Sequence, residues 1–191
     1  MKMKKQLLAL LLAAVMVLSL TGCKETLKKV AQKVTGHSEE VQEEDTTRWA
    51  EATTDPLIIQ GIADASAKYA TATADGCLYA VFNGIWSRNT GYFTVPGGSL
   101  NIMACGTAEG TQKFKVALWE LSEDKATTSY VAGTTVYFPT GGECSTYTIS
   151  GLTPGRLYKA NVSYDSGMFY ITGGVKIEGI GSDDLVAPDA E

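Results

Sequence analysis

Residues 147–158 read Tyr147-Thr148-Ile149-Ser150-Gly151-Leu152-Thr153-Pro154-Gly155-Arg156-Leu157-Tyr158: the end of one strand, a turn, and the start of another. Pro154 and Gly155 supply the preset φ and the permissive backbone that a chain reversal needs. Beyond the turn, Tyr158, Ala160, Val162 and Tyr164 recur at every second position, the period of a strand with one buried face. The same reading extended outward gives approximate strands at Cys77–Phe82, Tyr92–Val95, Ser99–Cys105, Lys113–Leu121, Ser129–Phe138, Ser145–Ser150, Leu157–Tyr164 and Phe169–Glu178. Leu100, Ile102 and Ala104 share one face of the third strand. Phe114, Val116, Leu118 and Glu120 alternate with Lys115, Ala117, Trp119 and Leu121 in the fourth, and Trp119 is expected to fill the core. Gly97-Gly98, Gly141-Gly142 and Asp165-Ser166-Gly167 mark further turns. Seventeen of the 20 glycines fall between Gly76 and Gly181. That segment has the size of a single domain with its own core. Eight short strands at this spacing predict an all-β fold, a two-sheet antiparallel β-sandwich over residues 75–181.

Leu152, Pro154 and Tyr158 form L-x-P-x-x-x-Y, which resembles the corner between strands E and F of fibronectin type III domains. There the tyrosine hydroxyl bonds back to the backbone and pins the crossing between sheets. The resemblance implies a fibronectin-like or Ig-like sandwich in which residues 99–178 supply strands B, C, C′, E, F and G. Two departures stand out. The strand B tryptophan is replaced by Ile102, Met103 or Ala104, and an extra strand precedes the domain at Cys77. A jelly-roll sandwich, as in many carbohydrate-binding modules, is the alternative. Neither form carries catalytic residues with it.

At the other end of the chain, Lys2, Lys4 and Lys5 precede an apolar run from Leu7 to Leu20. It is too short for a spanning helix, which needs about 20 residues, and its flanks are those of a secretory leader. The run ends in Leu20-Thr21-Gly22-Cys23, which resembles the lipobox of bacterial lipoproteins. That resemblance implies a signal peptide over residues 1–22, cleavage before Cys23, and acylation of Cys23 with diacylglyceryl and palmitate-type chains. A lipid-anchored protein on the extracytoplasmic face of a cell membrane follows, since two or more chains hold stably where one does not. Losing the three leader lysines leaves 13 basic against 21 acidic residues, a net charge of −8. Such a chain lacks the cationic footprint of a nucleic-acid binder.

Residues 23–54 read as a charged tether. Leu27, Val30, Ala31 and Val34 are spaced for a short amphipathic helix beside the anchor, and Glu39, Glu40, Glu43, Glu44 and Asp45 belong to a solvated spacer over 36–54. Asp55-Pro56 suits a helix start. With Leu57, Ile58, Ile62, Ala65 and Tyr69 it predicts a short helix to about residue 70 and a linker to 74, weakened by Gly61. Residues 182–191 form a C-terminal tail.

The chemistry-bearing residues are sparse. The lone histidine, His37, lies in the tether, so a base held rigidly beside a nucleophile is not expected in the domain. Glu120 and Glu178 are on strands, but most other acids sit in turns, so a hydrolytic carboxylate pair is not expected. Ser122-Glu123-Asp124 is too sparse for a dedicated calcium loop, and no metal or other cofactor is called for. Cys77, Cys105 and Cys144 are odd in number, so at least one stays free, and their pairing is open. Recognition is the one activity the composition favours. Tyr79, Phe82, Trp86, Tyr92 and Phe93 cluster with Asn83, Arg88 and Asn89. Rings beside amides stack sugars and hold their hydroxyls, or anchor a protein. Trp86, in a stretch read as a loop from Ile85 to Gly91, is the leading contact residue, with Tyr92, Arg88 and Asn89 beside it. The expected function is a non-catalytic binding module for a glycan or an envelope protein. The rival is a structural or accessory subunit of a cell-envelope complex.

Overall fold

The computed structural model describes residues 48–109, 112–164 and 170–181. The leader, Cys23, the amphipathic helix, His37, the acidic block and the C-terminal tail lie outside the described residues. Twelve strands appear in order: β1 (Glu51–Ala52), β2 (Tyr69–Ala74), β3 (Cys77–Ile85), β4 (Ser87–Asn89), β5 (Phe93–Thr94), β6 (Ser99–Thr107), β7 (Lys113–Leu121), β8 (Thr128–Tyr130), β9 (Val136–Pro139), β10 (Gly141–Ser150), β11 (Leu157–Ser163) and β12 (Ile171–Glu178). The described residues contain no helix.

Two antiparallel sheets result. The first runs β1-β10-β6-β12-β3-β2; the second runs β4-β11-β7-β8, with β5 joining β11 and β9 joining β7. The sandwich is therefore as expected, and its strand order is that of the jelly-roll alternative. Counting β3, β4, β6, β7, β9, β10, β11 and β12 as first to eighth, the sheets read 6-3-8-1 and 2-7-4-5. In the fibronectin arrangement the last strand would extend the sheet of β11 and β7. Here β12 instead crosses to lie between β6 and β3, with Val175 opposite both Ala104 and Ala80. The strand at Cys77 is thus the first strand of the roll, not an addition to it. Gly173 makes the insertion feasible, because a Cβ there would overlap the Cys105 carbonyl of the neighbouring strand.

The core forms between the sheets from side chains at alternate positions: Leu78, Ala80 and Phe82 of β3, Leu100, Ile102 and Ala104 of β6, Phe114, Val116 and Leu118 of β7, Tyr158, Ala160 and Val162 of β11. Phe114 stacks on Phe138 and meets Phe82 edge-on. The quoted stretch performs as its motif implies. β10 belongs to the first sheet and β11 to the second, and the Tyr158 hydroxyl accepts from the Thr153 N–H at 2.9 Å across the crossing.

Four expectations change. No helix follows Asp55. Gly61 adopts a φ of 73°, Asp64 caps a turn through the Ser66 N–H at 2.9 Å, and the last residues become edge strand β2. An isolated short helix is marginal in water, whereas a sheet edge offers a full ladder of partners. Leu57 and Ile59 use their apolar side chains over Gly174 of β12 instead. The tether is also shorter than expected, since Glu51 and Ala52 pair with β10 and Trp49 bridges Tyr137. The strand expected over Ser129–Phe138 is two, divided by Gly133 with a φ of 80°. Finally, Trp119 lies on the outer side of β7, half-buried against Tyr130 at 5.9 Å, because the inward register belongs to Phe114, Val116 and Leu118. Among the cysteines, Cys105 and Cys144 occupy directly opposite positions on β6 and β10 and form a disulfide, leaving Cys77 free.

Candidate functional site

The two best-exposed aromatic residues of the sandwich end are Trp86 and Tyr170, 51% and 57% exposed. Their placement follows from the strand pair β3 and β12. Ile85 pairs with Ile171, both buried, and one step further along each strand the chain reaches Trp86 and Tyr170. The register shifts beside this pair, between Ile171 and Gly173, and Gly84 adopts a φ of 67° while its N–H donates to Thr172 Oγ1 at 3.1 Å. Such bulges turn side chains out of the regular alternation. The two rings lie 6.0 Å apart, centroid to centroid, at an interplanar angle of 31°. Trp86 is tied down from behind, its carbonyl accepting from the Tyr164 N–H at 2.7 Å. A held, half-exposed apolar pair at the surface is the kind of feature that marks a contact site.

The segment after Trp86 is strand β4, not a loop. Ser87, Arg88 and Asn89 oppose Ser163, Val162 and Asn161 of β11. The Asn161 side-chain amide donates to Ser87 Oγ at 2.9 Å and to Asn89 Oδ1 at 2.8 Å. Arg88 is exposed at this sheet edge, where it donates to the Ser87 carbonyl at 2.9 Å. Tyr69 of the facing sheet donates to the Asn89 carbonyl at 3.0 Å. Burial pushes the Tyr69 phenol well up, and the nearby Arg88 charge pulls the other way. Trp86, Arg88 and Asn89 are therefore close along one edge, but Tyr92 leaves the group. It is 5% exposed, its hydroxyl shares a hydrogen bond with Thr128 at 3.0 Å, and Lys159 Nζ lies 5.3 Å from its ring. Tyr170 and Asn161 were missed by sequence reading. Each stands more than 70 residues from its partner at the site, and pairing of distant strands leaves no local signal.

Acid–base chemistry finds little support among the described residues. Glu120 is held by Arg156, with Arg156 Nε donating at 2.6 Å, and Glu178 pairs with Lys176 at 2.6 Å. The two acids sit in different sheets. Asp124 spends its carboxylate on the Ser122 hydroxyl and the Ala126 N–H at 3.0 Å. Hydrogen bonds hold Asp64, Asp124 and Glu178 below the ordinary carboxylate range, opposite to the raised value a general acid needs. The described residues contain no group of three metal-ligating side chains.

A second exposed tryptophan, Trp49, lies 5.7 Å from Tyr137, with Lys113 Nζ 4.1 Å from the Tyr137 ring and 5.6 Å from the Trp49 ring.

No protein-family model matches the chain, and no curated protein matches it. Among solved structures it is similar to the CBM22-1–GH10 modules of the N-terminal endo-1,4-beta-D-xylanase 10B of Clostridium thermocellum, complexed with xylohexaose. The TM-score is 0.37 at 12% identity, covering 63% of this chain and 26% of that one. A structure described as "CBM4 structure and function" gives 0.32 at 10% identity, covering 59% of this chain and 76% of that one. The chain thus spans about a quarter of the xylanase structure, and at these scores the architecture rests on the strand order described above.

Proposed function

We propose that this protein is a non-catalytic glycan-binding module, moored outside a cell membrane by lipid on Cys23. The observation that carries the binding reading is the exposed Trp86–Tyr170 pair, held by the β3–β12 bulge and flanked by the Asn89–Asn161 amides. Sugar rings present apolar C–H faces to aromatic rings and hydroxyls to amides, so both needs are met within one edge. The described carboxylates with perturbed acidity are all stabilised as anions, which suits binding better than hydrolysis. The anchor reading rests on the leader and on Leu20-Thr21-Gly22-Cys23.

Titration calorimetry with neutral xylan and β-glucan oligosaccharides tests the site. Trp86→Ala and Tyr170→Ala are each expected to weaken binding at least about ten-fold, the scale of a lost hot-spot ring, with an unchanged melting temperature. Retained binding, or a melting temperature that drops along with it, defeats the reading. For the anchor, labelled palmitate should enter the chain and be absent from Cys23→Ser.

A further inference from the structure

Trp49 is 50% exposed, as open as Trp86, and takes no part in the Trp86–Tyr170 pair. It is nonetheless held in place. The chain at Arg48–Ala50 runs parallel to β9, with the Tyr137 N–H donating to the Arg48 carbonyl and the Ala50 N–H to the Tyr137 carbonyl, both at 2.9 Å. The indole packs on the Tyr137 ring at 5.7 Å, and Lys113 Nζ lies 5.6 Å from the indole centroid. Tyr137 itself is buried, so Trp49 is the ring of this pair that meets solvent. A ring already fixed loses little conformational freedom when a ligand seats on it.

Directly opposite residues of an antiparallel pair share a face, so the strand register locates Trp49 within the second sheet. Ser87 of β4 faces Ser163 of β11, Ser163 faces Lys115 of β7, Lys115 faces Tyr137 of β9, and Tyr137 bridges Trp49. The row lies on the outer face, because the adjacent Val116, Val136 and Val162 point into the core. Trp86 immediately precedes Ser87. The two exposed tryptophans therefore stand at opposite edges of one sheet, at the same level along its strands. From Ser87 to Trp49 there are four inter-strand steps of about 4.8 Å, a span of about 19 Å. Asn89 and Asn161 oppose one another at the next level on the same face.

We propose that Trp49 is a second stacking ring for the same glycan, so that one sugar chain crosses the strands from Trp86–Tyr170, over edge strand β4, to Trp49. The ligand class is a long, uncharged polysaccharide bound along its length. The inference rests on the glycan-binding reading and extends its site. A neutral chain suits this ring because the sequence on either side of Trp49 holds Glu43, Glu44, Asp45 and Glu51, charges that repel an anionic lipid surface or an acidic glycan. Stacking on two separated rings makes the second contact intramolecular, so affinity rises once a ligand is long enough to reach both.

The test is calorimetry on the full-length chain with neutral xylan and β-glucan oligosaccharides of increasing length. Parent affinity is expected to step upward at a threshold length. Trp49→Leu keeps an apolar cover over Tyr137 but has no ring. It is expected to remove the step, weakening the longest ligands about ten-fold while the shortest bound ligand and the melting temperature are unchanged. Trp86→Ala should weaken ligands of every length. A parent without the step, a Trp49→Leu series that matches the parent's, or short and long ligands weakened together overturns the inference and leaves the Trp86–Tyr170 site standing. A parent that binds no oligosaccharide of any length removes the glycan reading itself, and this inference with it. A dimer in sedimentation equilibrium that Trp49→Leu dissociates, with the length series unchanged, assigns the ring to a second copy and overturns the inference as well.

Discussion

Tyr158 shows what one hydroxyl does at a sheet crossing. It is 1% exposed and bonds the Thr153 backbone on both sides, accepting its N–H at 2.9 Å and donating to its carbonyl at 3.3 Å. Tyr158→Phe leaves that N–H without its partner, so a loss of about 1–3 kcal/mol is expected in urea unfolding. Gly173 shows the complementary case, a side chain that must be missing. A Cβ there meets the Cys105 carbonyl and lies 2.9 Å from the Gly106 Cα, both backbone atoms that cannot rotate away. Gly173→Ala should therefore lower the unfolding midpoint sharply, while Gly97→Ala, with nothing within 4 Å of the new atom, should be near neutral. Equal effects would show that the β6–β12 approach is looser than described. Tyr164 presents an unusual feature: its hydroxyl is buried and has no hydrogen-bond partner among the described residues. Removing an unsatisfied buried polar atom is favourable, so Tyr164→Phe is expected to stabilise by about 1 kcal/mol.

At the scale of elements, β10 is the strand that ties the molecule together. It pairs with β6, carries β1 on its other side, and delivers the chain through the Tyr158 corner into β11. The Cys105–Cys144 disulfide crosses β6 and β10 at directly opposite positions and closes a loop with a sequence separation of 39. A loop of that length restrains the unfolded chain by about 4 kcal/mol in the chain-entropy model. Cys105→Ser/Cys144→Ser, or reduction of the parent, should lower stability by that order, read as the fall in the urea unfolding free energy extrapolated to water. A reduced protein of unchanged stability would show the bridge to be idle. The segment before β2 shows how far element-level reading reaches. Its apolar residues were visible in the chain, but their period suited a helix, and only the bare surface at Gly174 gave Leu57 and Ile59 a place in extended form.

Across the whole molecule, burial shapes the response to pH. Tyr69, Tyr79 and Tyr164 all have phenols pushed above their ordinary value of 10.0, burial being the largest cause in each. The folded state keeps these protons where the unfolded chain releases them. Their contribution to stability is thus complete below pH 10 and lost as pH rises above it toward the folded values. Urea midpoints should fall between about pH 9 and about pH 12, and less steeply in Tyr164→Phe; a parallel fall in both would assign the loss to other groups. At this scale the division between chain and fold is clear. The period-two alternation, the turns at Gly97-Gly98 and Pro154-Gly155, and the Leu152–Tyr158 corner were all legible in the sequence, because strand period and sheet crossing are set by neighbours a few residues apart. Trp86 is exposed as expected, although the loop expected from Ile85 to Gly91 gives way to strand β4 and the ring is turned out beside the β3–β12 bulge. The sequence by itself therefore determined that this chain makes two facing β-sheets and where it crosses between them. Only the tertiary structure decided that β12 lies between β6 and β3 and that Tyr170 joins Trp86. Those outcomes depend on which distant strands become neighbours, and a backbone hydrogen bond carries no record of its partner's place in the chain.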